Sequence, residues 1–419
     1  MKILVVGKGG REHSLIRALA ESPGDQELFC FPGSDAIFDI ASPTTATDLP
    51  SLIDWMHAQK IDLCVAGEES YLVKDEGLAN LCAAHGIPCW GPPRESAMLE
   101  ASKDFAKDFL VRHDIPTARA ATVSTREEAL DAIAGTYPVV LKFDGLAAGK
   151  GVAVCPDAAA AHAFLDEVFI AQRFGPGRLL VESFLTGPEV SIFAAIVDGE
   201  YLVFTPARDY KRALDGDHGP NTGGMGAVAS RTLIPPEMLA RIEREIVKPT
   251  VQGLVNDGLP YRGFLYFGLM LTPTGPQVIE YNCRFGDPEC QAVMPLVHGD
   301  LAAFCHAGAQ GRLDPSLITF DDGWSVCVVL ASAGYPESSR SGDVIHGLES
   351  PGNHRIYHAG TRRSKENGAW ETAGGRVLAV VAHGPDRQSA VAAAHHAADA
   401  VTFDGLQRRQ DIGKLHFEP

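Results

Sequence analysis

Lys142-Phe143-Asp144-Gly145-Leu146-Ala147-Ala148-Gly149-Lys150-Gly151-Val152 is the stretch from which the rest of the chain is best read. Its three glycines and two alanines stand between apolar runs at 139–143 and 152–154 that read as strands, and they are too small to pack a core. Glycine accepts backbone conformations that other residues resist. A loop of this kind therefore folds down closely over polyphosphate and offers its N–H groups. Lys142 and Lys150 bring cationic charge to it. The spacing is not a Walker A loop. With Gly149-Lys150 as the Gly-Lys pair, the leading glycine position falls on Asp144 and the hydroxyl position on Gly151. Taken alone, the segment suits a flexible hairpin tip equally well.

A second informative stretch lies far downstream, at Val278-Ile279-Glu280-Tyr281-Asn282-Cys283-Arg284-Phe285-Gly286-Asp287-Pro288-Glu289. On a strand, side chains two residues apart share a face, so Glu280 and Asn282 point the same way, joined by Arg284 if the strand persists. A carboxylate and an amide oxygen are hard donors of the kind that bind Mg²⁺ while leaving sites for phosphate oxygens. Arg284 would set a planar fork beside that ion, suited to a carboxylate or a developing phosphoryl charge. A charged edge strand with a solvated Glu280 is the plainer reading. Asp209-Tyr210-Lys211-Arg212 and Gly219-Pro220-Asn221-Thr222-Gly223-Gly224-Met225-Gly226 lie in a polar region, 210–230, of little periodicity. Such a loop either wraps a polar ligand or lies mobile on the surface.

The amino-terminal Gly7-Lys8-Gly9-Gly10-Arg11-Glu12 follows a strand and opens a helix, where backbone N–H groups suit phosphate. As a dinucleotide fingerprint it is incomplete. Glu12 stands where the third glycine belongs, and the second strand ends at Phe31-Pro32-Gly33 with no ribose-binding acid. His13 reads as a ligand or a buried, satisfied histidine. His395-His396 are adjacent on a helix and do not share a face.

Strand–helix alternation over the first hundred residues, with strands at 3–6, 28–31, 63–66 and 88–90 and helices at 11–21, 49–58 and 71–85, predicts a doubly wound parallel sheet. A helix is expected at about 95–113. Strands follow at 120–123, 139–143, 152–154, 179–182, 189–197, 201–208, 263–271 and 276–282, with helices near 126–134, 157–170 and 236–257. A new unit starts at about 323, with strands at 326–331, 355–359 and 376–382 and a helix at 386–400.

The formal net charge of −17 repels phosphate backbones and anionic lipids, which argues against nucleic-acid and membrane partners. No apolar run approaches the roughly 20 residues that span a bilayer. The nine cysteines are scattered, odd in number and without a Cys-x-x-Cys pair. They read as free thiols of a reducing cytoplasm rather than a disulfide framework or a zinc site.

Taken in order, Lys103 and Lys142, the glycine-rich strand-loop-strand, Glu182-Ser183-Phe184-Leu185 followed by Glu189, and the late Glu-x-Asn strand resemble the ATP-grasp superfamily. Within it the chain resembles the phosphoribosylamine–glycine ligase family nearly end to end. The most specific strings are 144–152 and 282–289, supported by 7–13, 219–227, 263–270, 342–347, 358–361, 374–377 and 411–413. The resemblance implies an α/β and α+β multidomain fold. Its parts are an N-terminal doubly wound substrate domain (1–103), an ATP-grasp core (104–322) with a mobile lid at about 122–190, and a small mixed α/β C-terminal domain (323–419). It implies ligation of glycine to 5-phosphoribosylamine through glycyl phosphate, driven by ATP with Mg²⁺ or Mn²⁺, in a cytoplasmic monomer or weak homo-oligomer.

By matching position, Lys103, Lys142 and the loop Gly145, Gly149, Lys150 and Gly151 are expected at the ATP phosphates. Glu182 and Leu185 are expected at the adenine through backbone groups, and Glu189 at the ribose. Glu280 and Asn282 are the expected metal ligands. Asp209, Lys211, Asn221, Thr222, Gly223, Gly224 and Arg284 are expected around the reacting groups, with Gly9, Gly10 and Arg409 as candidates for the ribosylamine phosphate. The sequence departs from the family pattern at Glu68, Tyr71, Phe143, Pro188 and 414–416, and Phe143 is expected to affect adenine packing. The strand at 264–271 carries no acid, so a second metal ion would be held mostly by nucleotide. The competing readings are another ATP-grasp carboxylate–amine ligase, a Rossmann-type oxidoreductase, and a non-catalytic nucleotide sensor.

Overall fold

The computed structural model describes residues 1–145, 151–349 and 352–414. Five parallel strands form the amino-terminal sheet in the order Ser42–Pro43, Glu27–Pro32, Lys2–Gly7, Leu63–Ala66, Cys89–Trp90. Ile3, Leu4, Val5 and Val6 are all fully buried, as expected of a strand covered on both faces. Two expected helices are interrupted. The one at 71–85 is Ser70–Val73 and Leu78–Ala84, parted by Gly77 at φ +85°. The one at 95–113 breaks at Ser102, which is extended, and whose Oγ accepts from Phe105 N at 3.1 Å. Ser102 is thus the N-cap of a second helix, Lys103–Arg112, and Lys103 is its first residue.

A separate antiparallel sheet runs in the order Ala120–Val123, Leu179–Ser183, Val139–Phe143, Val152–Cys155. It has its own core, including Val123, Leu141, Phe143, Leu165 and Leu179. Phe143, expected to affect a nucleotide pocket, packs here, with its ring 5.3 Å from that of Phe174.

The largest sheet runs Gly275–Asn282, Arg262–Thr272, Glu189–Val197, Ala207–Asp209, Gly226–Ser230, Trp324–Ala331, Arg376–Gly384, His354–His358. Side-chain alternation divides its core in two. Val190, Ile192, Ala194 and Ile196 face one hydrophobic cluster, while Phe193, Ala195 and Val197 face the other. The strand expected at 201–208 is two pieces. Glu200–Val203 folds back on Glu189–Val197, and Ala207–Asp209 pairs onward after Pro206, which has no N–H for a ladder. The aperiodic region 210–230 contains a hairpin, Arg212–Leu214 with His218–Asn221, and a fully buried strand, Gly226–Ser230. Its Gly-Ala-Val-Ala-Ser sequence is too small-sided to show a strand pattern. The helix expected at 236–257 is continuous from Pro236 to Asn256, with a wider π turn at Glu243–Val247 just ahead of Pro249. A proline cannot donate to the preceding turn, and the wider turn accommodates it.

Candidate active site

The small sheet, the end of strand Gly275–Asn282 and the hairpin at 212–221 enclose a cleft with a narrow end and a wide chamber. The narrow end has a volume of about 140 Å³ and is lined by Lys103, Lys142, Gly145, Gly151, Glu280 and Asn282, among others. The chamber, about 690 Å³, shares Lys142, Glu182, Glu280, Asn282 and Arg284 with it and extends to Leu185, Glu189, Asp209, Lys211 and Asn221–Gly223. Gly149 and Lys150 lie outside the described residues.

At the narrow end the lysines are held by named partners. Lys103 Nζ donates to Gly145 O at 2.8 Å. Lys142 Nζ donates to Ile279 O at 3.0 Å and pairs with Glu182 Oε2 at 2.8 Å. The other Glu182 oxygen pairs with Lys107 at 2.9 Å, a cleft residue that the sequence reading missed. Burial would raise the Glu182 carboxyl, but Lys142 and Lys107 outweigh it and hold it below the usual carboxylate range. Burial pulls the Lys103 ammonium below the usual lysine range. Lys142 adds to that shift and Glu280 opposes it.

Glu280 and Asn282 are the last alternate residues of their strand and line both parts of the cleft. Across the antiparallel pair Glu280 faces Gly268, where a Cβ would stand 3.0 Å from Glu280 Cγ. The strand stops at Asn282, so Arg284 does not share their face by strand alternation. It enters the cleft because acids from two other segments hold it. Nε donates to Glu69 Oε2 at 3.0 Å, and Nη2 to Glu100 Oε1 at 2.5 Å. Burial pushes the Glu100 carboxyl up to about 7 against the pull of Arg284. Glu69 is drawn down to about 2, since Arg284 and Arg11 outweigh its burial.

In the chamber Lys211 Nζ pairs with Glu189 Oε2 at 2.8 Å. Burial would lower that ammonium, but Glu189 and Asp209 keep it well above the usual lysine range. Burial pushes Asp209 up to about 8, helped by Glu289, Glu189 and Glu280 and opposed by Lys211. Glu289 is buried and accepts from Ser191 Oγ at 3.1 Å. The Thr222 hydroxyl is occupied locally, donating to Lys211 O at 2.9 Å. Gly223 N donates to Tyr335 OH at 2.8 Å, and Gly223 O accepts from Arg376 Nη1 at 2.7 Å. Arg376 also pairs with Asp287 at 3.1 Å, tying the hairpin to the turn after strand Gly275–Asn282.

Four expected site residues are not brought to the cleft lining. Gly9 N donates to Glu12 Oε2 at 2.7 Å, so a side chain already fills the turn that a phosphate would use. A Cβ on Gly7 would collide with that same Glu12 side chain. The Glu12 carboxylate at this turn weighs further against the oxidoreductase reading, and neither Gly9 nor Gly10 is among the residues lining the cleft. Gly10 instead abuts Gln291 and Ala359. Gly224, at φ +111°, packs against Pro288. Arg409 is 1% exposed, with its guanidinium spent on Asp411 (2.7 and 2.6 Å), Asp217 (2.8 Å) and Arg212 O (3.1 Å). It braces the hairpin from behind. The sequence reading also missed Arg11, Glu69, Glu100, Asp287, Glu289 and Arg376. Of these, Asp287 and Glu289 stood inside the quoted string at 278–289. Arg11 and Arg376 also stood inside highlighted strings, at 7–13 and 374–377, but their roles, like those of Glu69 and Glu100, come from contacts between segments far apart in the chain.

The donor set suits a divalent ion. Glu280 and Asn282 offer hard oxygens at adjacent positions on one face, and neither side chain has a hydrogen-bond partner among the described residues.

Comparisons with known proteins agree across the whole chain. The Phosphoribosylglycinamide synthetase family matches through its N domain (residues 1–100), its ATP-grasp (A) domain (101–290) and its C domain (325–415). The phosphoribosylamine–glycine ligase of Allochromatium vinosum is 43% identical, covering 99% of this chain and 98% of that protein. The Escherichia coli K12 protein of the same name is 41% identical with the same coverage. Among solved structures, a phosphoribosylamine–glycine ligase from Thermotoga maritima superposes with a TM-score of 0.85 at 31% identity, covering 98% of this chain and all of that one. A biotin carboxylase from Campylobacter jejuni, at TM-score 0.73 and 17% identity over 97% of this chain and 92% of that one, shares the fold.

Proposed function

Because the chain belongs to the phosphoribosylglycinamide synthetase family, we propose that its cleft couples ATP cleavage to joining glycine's carboxylate to the amine of 5-phosphoribosylamine. The chain is an ATP-dependent ligase of purine biosynthesis, and it uses a divalent metal ion. The observation that carries the detailed reading is the convergence of Glu280, Asn282, Lys103, Lys142 and Arg284 at the narrow end, all but Lys103 also lining the chamber.

The chemistry needs a leaving group on a poor acyl donor. A glycine carboxylate oxygen attacks the γ-phosphorus and ADP departs. The ribosylamine nitrogen then attacks the acyl carbon of glycyl phosphate and phosphate leaves. Phosphoryl transfer depends on positioning and charge neutralisation more than on covalent help, so no nucleophilic side chain is required. Mg²⁺, or Mn²⁺ in its place, supplies neutralisation of the phosphate oxygens when held by Glu280 and Asn282. Lys103 and Lys142 would add positive charge for the phosphates at the narrow end. Arg284, held by Glu69, Glu100 and the carbonyl oxygen of Phe285, would bring fixed positive charge and its remaining N–H groups to the cleft lining with little further cost in side-chain ordering. Lys211 and Asp209 line the chamber where the glycine and the amine would meet. The unit at about 122–190 would act as a lid that excludes water from the acyl phosphate. In this reading the units are 1–103, 104–322 and 323–419, and the protein works in the cytoplasm as a monomer or weak homo-oligomer. Among the described residues no helix is long and apolar enough to cross a membrane.

A coupled assay of ADP release tests this, with glycine and 5-phosphoribosylamine omitted in turn. Release that requires both substrates is expected. Release indifferent to either would overturn the substrate assignment.

A further inference from the structure

Three of the nine cysteines, unconnected in the sequence, meet in the amino-terminal unit. Cys64 lies on strand Leu63–Ala66, Cys82 on helix Leu78–Ala84 and Cys89 on strand Cys89–Trp90. Cys64 and Cys89 stand opposite each other in the parallel pair, and the helix brings Cys82 over them. Their sulfur atoms all lie within 4.8 Å of one another, and all three are free thiols. No other such group of metal-binding side chains occurs among the described residues. The cysteines are free thiols, as expected from their scattered spacing, yet these three are close together in space.

We propose that Cys64, Cys82 and Cys89 form a binding site for a soft, thiophilic d¹⁰ cation, Zn²⁺ or Cu⁺, separate from the hard-oxygen site at Glu280 and Asn282. With metal–sulfur bonds of about 2.3 Å, three sulfurs around one ion sit roughly 4 Å apart, so the thiols need draw in by less than about 1 Å. Thiolate ligands select such ions over Mg²⁺, which prefers oxygen. Binding a divalent ion forms three metal–sulfur bonds and releases the three thiol protons to solvent. No electrons are transferred. Cys89 is only half-buried and gives a route inward, whereas Cys64 and Cys82 are shielded from water. None of the three lines the cleft. The plain alternative is that they serve as small apolar core residues. That role requires neither their convergence nor any metal affinity.

The test uses the full-length, reduced, metal-stripped protein titrated anaerobically with Cd²⁺, followed by the ultraviolet thiolate-to-cadmium charge-transfer band. The expected result is a band that saturates at one equivalent. It should weaken at least tenfold in apparent affinity in Cys82→Ser and stay unchanged in Cys305→Ser, a buried cysteine elsewhere. Displacement of the cadmium signal by Zn²⁺ or by Cu⁺ then assigns the ion. If Cys82→Ser fails to fold, as judged by far-ultraviolet circular dichroism, Cys89→Ala at the half-buried position takes its place. Absence of a saturable band, or an identical titration in the folded cysteine variant, would overturn the proposal.

Discussion

Glu280 shows how one position gains its chemistry from the residue across the sheet. Its partner is Gly268, and a side chain there would press on the Glu280 stem, so the carboxylate keeps its place at the cleft wall. Replacing it with Gln preserves shape and removes the charge that would anchor the divalent ion. We expect Glu280→Gln to lower kcat for ADP release on the order of 100-fold or more, with an unchanged circular dichroism spectrum. Turnover near the unmodified level would refute the metal role. At this scale the sequence was informative wherever chemistry followed chain spacing. Alternation along a strand was enough to pair Glu280 with Asn282. It misplaced the reason for Arg284, whose direction is set by Glu69 and Glu100, roughly 200 residues upstream. Arg409 misled in the opposite sense. A late arginine reads as a free cation, and only the fold reveals that Asp217 and Asp411 consume it.

Elements show the same division between local and distant causes. Strand 189–197 was legible because its apolar run is long and β-rich, and the structure gives it the same limits. The break at Ser102 was harder to see, since a capping serine looks like any polar residue in an amphipathic helix until its hydroxyl is seen accepting from Phe105 N. The contact between helix Gly10–Ala20 and strand His354–His358 has a titratable consequence. His13 Nδ1 accepts from His358 N at 3.0 Å, and the His358 ring lies 4.5 Å from that of Trp370. Burial drives both imidazoles down to about 4. Their folded values lie below the unfolded value of about 6.5, so the unfolded chain binds more protons between them. The stability they contribute is therefore fully present above pH 6.5 and is lost as pH falls toward 4. The loss is on the order of 3 kcal/mol per histidine at most. We expect Tm to fall over this window in the unmodified protein, and to fall less steeply in His13→Asn, which keeps a hydrogen-bond acceptor without the titration. Equal slopes in the two proteins would show that the pair does not govern the acid limb.

The whole molecule is organised by one sheet that crosses the expected boundary at 323. Strand Gly226–Ser230 pairs on one side with Ala207–Asp209 and on the other with Trp324–Ala331, which continues into Arg376–Gly384. Val326, Val328 and Leu330 enter one hydrophobic cluster, and Cys327 and Val329 the other. The late segment thus completes both layers of the central core. Ile412, fully buried, closes over Gly226, where a Cβ would stand 2.8 Å from its Cδ1. None of this was visible in the sequence, because composition and periodicity mark where a strand runs but not which strand it joins. A fragment ending at residue 322 would leave Gly226–Ser230 as an unpaired, largely apolar edge. It would also forfeit roughly 1.5–3 kcal/mol for each large side chain no longer buried, enough in sum to exceed the stability of an ordinary domain. We expect residues 1–322, expressed alone, to collect in the insoluble fraction. Any soluble part should bind a hydrophobic dye and show no cooperative melt. By contrast, a chain nicked between Arg363 and Trp370, at the exposed tip of the hairpin Thr361–Arg363/Trp370–Thr372, should stay folded, because every strand of the central sheet remains paired. A soluble 1–322 fragment that melts cooperatively near the Tm of the full chain would show that the carboxy-terminal strands are an appendage to the central sheet and not part of its core.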